Sequence, residues 1–475
     1  VAAGSANPRA EFNVMVGGGY AFTGEPIRTR VSGNFIAFMP DGVTPVDIST
    51  YNATTKAIWG ALIGCVVQVG RYAENYASSP TDAKPMVIGT DGDGVNDADE
   101  GNLWPPIGGA IKYATAHEGM PAAIGWYRSG SNTILIAGNR WGINNNGTIM
   151  PTNSANFISD VYLTDLPDGN SKIFIGSDFA SSRSAATIAA QANHFYNNWP
   201  IGIFGNPPSN PDGKTIPGVI NAEHPRDTEV NTTNAFVSFR GNVLVGNGLN
   251  PFNYATNAVA GTNSLPLLRL FTNFFSAYLD TNVAIVPVLN AGSSVFPNLV
   301  GTFSPGVGDY TNVIIDVYQL DPVGWTNGQK FVMQVLTDNA TYTNGFPQGQ
   351  KYLGSFPVAN SGSFNIALPG GTDWGDGRVT VTANYSKDPA GTALAYTTTS
   401  DFSMPISVRP LIKVAKSGGN LNITWDPATA LYTVQTNAVV TNAATWGNHT
   451  AGNVAQPVSV PIGTGTRFVR LKYTP

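Results

Sequence analysis

Short apolar runs bounded by Gly, Asn, Asp or Pro recur along the whole chain, and each has the length and composition of a strand. The clearest are Phe12-Asn13-Val14-Met15-Val16, Thr133-Ile134-Leu135-Ile136, Lys172-Ile173-Phe174-Ile175, Ala235-Phe236-Val237-Ser238-Phe239 and Val313-Ile314-Ile315-Asp316-Val317-Tyr318. Helical periodicity is weak. Only Ala185 to Phe195 and Gly108 to His117 read as helix candidates. The most apolar segment, Leu265 to Leu289, is interrupted by Arg269 and Asp280, so it is not a membrane span.

The pattern also repeats. Ile36-Ala37-Phe38-Met39-Pro40-Asp41-Gly42-Val43, Ile88-Gly89-Thr90-Asp91-Gly92-Asp93-Gly94-Val95 and Trp141-Gly142-Ile143-Asn144-Asn145-Asn146-Gly147-Thr148 align without a gap. Each holds a large apolar residue, a small one and an Asp/Asn-Gly pair. Two copies are preceded by Gly-Asn, in VSGNFI and IAGNRW, and related signatures occur in NHFYNNWPIGIF and FRGNVLVGNG. Constant spacing predicts a solenoid, in which each turn of chain stacks on the last and equivalent positions form ladders. Asp/Asn-Gly suits a corner that needs positive φ, and stacked Asn can hydrogen-bond along the axis. A step near 52 fits two coils of about 26 residues or one coil with a large loop.

VSGNFIAFMPDGVTP, MVIGTDGDGVNDADEGN and IAGNRWGINNNGT resemble the degenerate repeats of secreted bacterial right-handed parallel β-helix proteins, over roughly residues 30 to 300. The chain departs from that family in long insertions such as Pro207 to Thr233. After residue 300, TNVIIDVYQLDPVGWTNGQKF, YLGSFPVANSGSFNIALPGG and GRVTVTANYSKDPAGTALAYTTTSDFSMPISV resemble an immunoglobulin-like module. The last stretch, LNITWDPATALYTVQTNAVVTNAATW and GTRFVRLKY, resembles a small C-terminal β module of secreted proteins from Verrucomicrobia-like bacteria. Trp425, Tyr432, Trp446 and Phe468 are its expected core aromatics. The expected fold is all-β: a right-handed parallel β-helix over 1–305, an Ig-like β-sandwich over 306–408 and a small C-terminal β domain over 409–475.

Composition narrows the function. Charged residues are 12 % of the chain and the net charge is −5, which gives no electrostatic footprint for nucleic acid or an anionic membrane. Low charge with abundant Asn, Thr, Ser and Gly fits a secreted protein. The chain opens on Val1 rather than Met, as a mature product freed of its signal peptide would. Cys65 is the only cysteine, so intramolecular disulfides and CxxC motifs are excluded, and its apolar surroundings predict a core residue.

The densest chemistry lies in VIGTDGDGVNDADEGN, which packs five of the thirty acids into residues 91–100. Read as a calcium loop, with Gly94 at its sixth position, it places Asp91, Asp93, Asp97 and Glu100 as ligands at the third, fifth, ninth and twelfth. The first ligand is missing, because Gly89 stands there. Read in the repeat register, Asp91 aligns with Met39 and Asn144, and only the turn recurs. Ca2+ and a purely structural corner therefore both stand. Among catalytic readings, Glu223-His224-Pro225-Arg226-Asp227-Thr228-Glu229 could supply an acid, a base and a cation, as a polysaccharide lyase or hydrolase requires. His117, His194 and His449 are dispersed and make no recognisable triad or zinc site. Trp104, Trp126, Tyr127, Trp141 and Trp199 could stack on glycans or fill the core. Seven Asn-x-Ser/Thr sequons occur, at Asn52, Asn146, Asn231, Asn339, Asn384, Asn422 and Asn448. The function expected is that of a non-enzymatic extracellular or cell-surface structural protein, self-assembling or adhesin-like. The alternative is a carbohydrate-binding or polysaccharide-degrading β-helix.

Overall fold

The computed structural model describes residues 14–15, 22–24, 30–36, 38–44, 67–69, 86–105, 122–126, 133–150, 159–163, 172–177, 184–196, 220–222, 236–246, 268–270, 286–304, 312–321, 331–332, 341–342, 347–368, 377–386, 397–400, 402–408, 410–426, 432–439, 445–452, 454–463 and 467–473. Over these residues the protein is all-β, with 33 strands and two short helices, α1 (Asp97–Glu100) and α2 (Ala185–Gln191).

The first seventeen strands are β1 (Val14–Met15), β2 (Phe22–Gly24), β3 (Arg30–Val31), β4 (Phe35–Ile36), β5 (Val67–Val69), β6 (Met86–Gly89), β7 (Leu103–Trp104), β8 (Ala122–Trp126), β9 (Thr133–Ala137), β10 (Arg140–Trp141), β11 (Ser159–Leu163), β12 (Lys172–Gly176), β13 (His194–Tyr196), β14 (Ile220–Ala222), β15 (Phe236–Arg240), β16 (Val243–Val245) and β17 (Leu268–Leu270). Every third strand joins the same sheet. The orders are β1-β4-β7-β10-β13-β16, β2-β5-β8-β11-β14-β17 and β3-β6-β9-β12-β15. Neighbours pair in parallel within all three. The first sheet aligns Trp104, Trp141, Phe195 and Leu244 in one inward row, each of them buried. Trp104 and Trp141 stack with centroids 4.8 Å apart, and Trp141 and Phe195 stack at 4.7 Å. These two tryptophans are core residues. They are unavailable to a sugar.

Between the third and first sheets the chain turns a corner that carries a column of buried asparagines. Asn34 donates its Nδ2 to Asn102 Oδ1 at 2.8 Å, Asn102 to Asn139 at 2.9 Å, Asn139 to Asn193 at 3.1 Å and Asn193 to Asn242 at 2.9 Å. The backbone N–H of each donor asparagine reaches the same oxygen. From Asn102 onward each Nδ2 also donates back to the third sheet, on Val31, Ile88, Ile136 and Ile175 carbonyls. An amide can do this because it carries two donors beside its acceptor. Each bond contributes about 1 kcal/mol net, but orphaning a buried partner costs about 1–3 kcal/mol.

The corners come in two forms that alternate. At Gly33, Gly138 and Gly241, all near φ +70°, the chain turns directly. Before Asn102 and Asn193 it detours through α1 and α2. Glycine at the direct corners has a steric cause. A Cβ at Gly138 would lie 2.6 Å from Thr90 Cγ2 and 3.2 Å from the Ala190 carbonyl oxygen, and one at Gly241 would lie 2.7 Å from Ile188 Cγ2. A direct corner must be glycine to seat the detours beside it.

This geometry corrects the aligned repeat. Asp41-Gly42 and Asn146-Gly147 are equivalent, since both turns follow the first sheet and Asn145 N–H donates to the Gly42 carbonyl at 2.9 Å. Asp93-Gly94 is not their equivalent, because it follows β6 of the third sheet. Successive asparagines are 68, 37, 54 and 49 residues apart, so no constant spacing exists. The helix expected over Ala185 to Phe195 stops at Gln191. Asn193 joins the column and His194–Tyr196 becomes a strand.

The next strands are β18 (Val288–Leu289), β19 (Asn298–Thr302), β20 (Asn312–Leu320), β21 (Phe331–Val332), β22 (Thr341–Tyr342), β23 (Gly349–Val358), β24 (Ser363–Ala367), β25 (Arg378–Ser386), β26 (Thr397–Thr399) and β27 (Ile406–Ser407). An antiparallel sheet β18-β19-β24 and a larger one, β23-β20-β25-β26 with β27 on β25, share one core of Leu299, Phe364, Ile366, Val313, Ile315, Val317, Val379 and Val381. This unit reaches back to Val288, before residue 306. The last strands are β28 (Leu411–Ser417), β29 (Asn420–Asp426), β30 (Tyr432–Asn437), β31 (Gly447–Asn448), β32 (Val458–Pro461) and β33 (Phe468–Tyr473). They form sheets β28-β29-β32 and β31-β30-β33 around Trp425, Tyr432, Val434 and Ile423. Trp425 and Tyr432 are the core aromatics here; Trp446 and Phe468 are half-buried.

The two-layer unit packs against β15 and β16, the last strands of the third and first parallel sheets. Arg240, at the end of β15, is buried against Asp316 of β20, with Nε to Oδ2 and Nη2 to Oδ1 both 2.8 Å. Asp316 also accepts from Ser355 Oγ. Burial, the largest single influence, pulls the Arg240 guanidinium down, but the Asp316 charge and hydrogen bond together with the neighbouring Tyr352 and Tyr318 outweigh it, and the net direction is up. Around the pair, Gly241 N–H donates to Tyr318 OH at 3.0 Å, Gly246 N–H to Asp321 at 2.7 Å and Phe239 N–H to Thr399 Oγ1 at 2.9 Å. The inward aromatic row continues across this joint through Phe239, Phe402 and Tyr318.

Candidate functional site

The acidic loop lies between β6 and β7. Gly89 (φ +104°) turns the chain off the third sheet, where a Cβ would fall 1.8 Å from the Ala137 carbonyl oxygen. Gly92 and Gly94 keep it in the left-handed region, and Asn96 does so without being glycine, at φ 59°. The carboxylates hold these turns. Asp93 Oδ1 accepts from Val95 N–H at 2.7 Å, and Asp91 Oδ1 accepts from Asp93 N–H at 3.3 Å. Asp97 accepts from Gly94 N–H at 3.1 Å and from Thr90 Oγ1 at 3.0 Å. One oxygen each from Asp91, Asp93 and Asp97 lie within 4.8 Å of one another. That spacing and an all-oxygen donor set suit a hard cation.

Glu100 does not join them. It is 2 % exposed and pairs with Arg30 Nη2. Arg30 Nη1 also reaches Asp91 Oδ2 at 2.8 Å, so one guanidinium bridges the buried glutamate and the loop. Burial raises the Glu100 carboxyl above its ordinary value, while Thr90 and Arg30 pull the other way. The reason for its place is topological. Glu100 ends α1 as Gln191 ends α2; both are buried, and their carbonyls accept from Gly33 N–H and Gly138 N–H of the adjoining direct corners. The calcium reading therefore retains three of its four carboxylates, and a protein cation already faces one of those. Arg30 lies 61 residues from Asp91, and no loop motif includes it.

The remaining candidates scatter. His194 stands on β13 with its Nδ1 3.1 Å from Tyr196 OH. Burial, then the Arg140 charge, push its pKa down to about 4, so the ring is neutral at pH 7. His449 Nε2 lies 3.0 Å from the Ser459 carbonyl oxygen. His117, Cys65, Trp199, Tyr127, residues 108–117 and the cluster 223–229 fall outside the described residues. Of the sequons, Asn146 and Asn448 are exposed. Asn384 is fully buried, donating to the Ile314 carbonyl at 3.1 Å and accepting from Thr399 Oγ1 at 2.6 Å. It is closed to glycosylation.

No protein-family model matches the chain, and no curated protein matches it. No helix among the described residues is long and apolar enough to cross a membrane.

Proposed function

We propose that this chain is a secreted, non-enzymatic structural protein of the cell surface or extracellular matrix, whose body is a right-handed parallel β-helix followed by an immunoglobulin-like sandwich and a small C-terminal β module. The supporting observation is the buried asparagine column running beside three parallel sheets visited in strict rotation. It commits buried amides to tying successive passages of the chain together, which suits a rigid, extended body. Self-association is part of this reading, with one restriction. The second unit lies over β15 and β16 through the Arg240–Asp316 joint, so axial growth must use another surface. In the same reading Asp91, Asp93 and Asp97 form a weak surface site for Ca2+, without Glu100.

Negative-stain microscopy with light scattering on the purified protein tests the proposal. Discrete assemblies or fibres that disappear on deletion of residues 1–20 support it. A strict monomer that cleaves or binds polysaccharides establishes the carbohydrate-active alternative instead. Calorimetric titration with Ca2+ decides the cation site independently, and absence of binding at millimolar metal removes it.

A further inference from the structure

Strand β28 is the outer member of its sheet, hydrogen-bonded to β29 along Leu411–Ser417, and among the described strands nothing pairs with its other edge. All seven residues are exposed. Ile412 and Val414 stand opposite Trp425 and Ile423, which are 1 % and 0 % exposed and belong to the module core. Yet Ile412 and Val414 are 40 % and 57 % exposed and take no part in that core. Leu411, on the opposite face, is 41 % exposed. The strand has no proline, and its register with β29 has no bulge. An open edge with aliphatic side chains on both faces is a template for another strand, and its two lysines, which repel a like-charged strand, leave it open to one of opposite charge.

The charge around the strand says what fits it. From Leu411 to the C-terminus the chain carries Lys413, Lys416, Arg467, Arg470 and Lys472 against Asp426 alone, whereas the whole chain carries −5. Lys416 is exposed on the same face as Ile412 and Val414, and Lys413 is exposed on the face of Leu411. We propose that β28 is a docking strand for an extended, acidic segment of a partner protein, which adds to the sheet edge with a carboxylate against Lys416 and aliphatic side chains against Ile412 and Val414. A flat anionic surface would reach one face only, and a polysaccharide would not pair the row of backbone N–H and C=O groups.

The full-length protein is titrated with a labelled peptide, Glu-Val-Asp-Ile-Glu-Val-Asp, and with its counterpart carrying Lys at every acidic position. Backbone hydrogen exchange follows β28, and phosphatidylglycerol vesicles are run in parallel. The acidic peptide binds saturably and slows exchange along β28. The basic peptide and the Lys416→Glu variant each bind about tenfold or more weakly, as charge complementarity requires. Val414→Pro, which removes an edge donor, abolishes binding. If Val414→Pro disturbs the module, protection of β28 in the unmodified protein decides the matter. Equal binding of the two peptides, no added protection in β28, or vesicle binding in place of peptide binding overturns the proposal.

Discussion

Two corners lie within sixteen residues of each other and use nearly the same side chains to opposite ends. The acidic loop, Asp91 to Asp97, makes its carboxylate bonds to groups two to seven residues away, apart from the ion pair to Arg30. Asn102, immediately after, bonds Asn34 and Asn139, 68 and 37 residues away. The difference is one of donor capacity. A carboxylate only accepts, so it can fix a turn but cannot pass a hydrogen bond onward; an amide accepts and donates, so it can be one rung of a column. The loop is local and belongs to one copy. The column links five passages of the chain, from Asn34 to Asn242.

The contrast can be broken by exchanging the chemistry. Asn139→Asp keeps the shape, removes both donors of a buried rung and introduces a buried charge, so about 3–5 kcal/mol of stability should be lost in urea unfolding. Loss below 1 kcal/mol would mean that the column is ornamental. Next in size is Arg30→Met, which strands Glu100 and should cost about 3 kcal/mol at pH 7. Its sign with pH is fixed. A carboxyl whose folded-state pKa is raised contributes full stability below its unfolded value, 4.5, and loses it as pH rises through the folded value. Removing Arg30 raises that pKa further, so the variant should be least impaired near pH 4 and worst above pH 7, and Glu100→Gln should rescue it. A pH-independent loss would contradict the pairing.

Smaller effects belong to the loop itself. At Gly94 a Cβ would meet nothing within 4 Å, so Gly94→Ala should cost only its left-handed φ, about 1–2 kcal/mol. Asp93→Asn should fall within about 0.5 kcal/mol, since the amide oxygen still accepts from Val95 N–H. A larger loss, reversed by millimolar Ca2+, would show the loop to be held by metal rather than by its own turns.

Much of this was legible in sequence because strands and tight corners leave local marks. Thr133-Ile134-Leu135-Ile136 and Lys172-Ile173-Phe174-Ile175 each extend by one residue as strands, and Gly-Asn marks the corner at residues 33–34, 138–139 and 241–242. Asn102 was hidden in plain view: its Gly-Asn ends an acidic run that attracts a calcium reading. Unequal detours then spoiled the register. The 52-residue alignment paired Asp93 with a turn two sheets away, because insertions between rungs vary while the rungs themselves do not. Arg30 with Glu100, and Arg240 with Asp316 at a separation of 76 residues, leave no local mark at all. Only the stacking of distant passages brings them together.

The most direct test of the contrast is native-state hydrogen exchange of the unmodified protein, comparing two sets of amides. The N–H groups of Asn34, Asn102, Asn139 and Asn193, each bonded to the next asparagine, should exchange only through global unfolding. Those of Gly92, Asp93, Gly94 and Val95 should exchange about a thousandfold faster or more, through local opening of the loop. Equal protection of the two sets, or column amides that exchange at the loop's rate, would contradict the account.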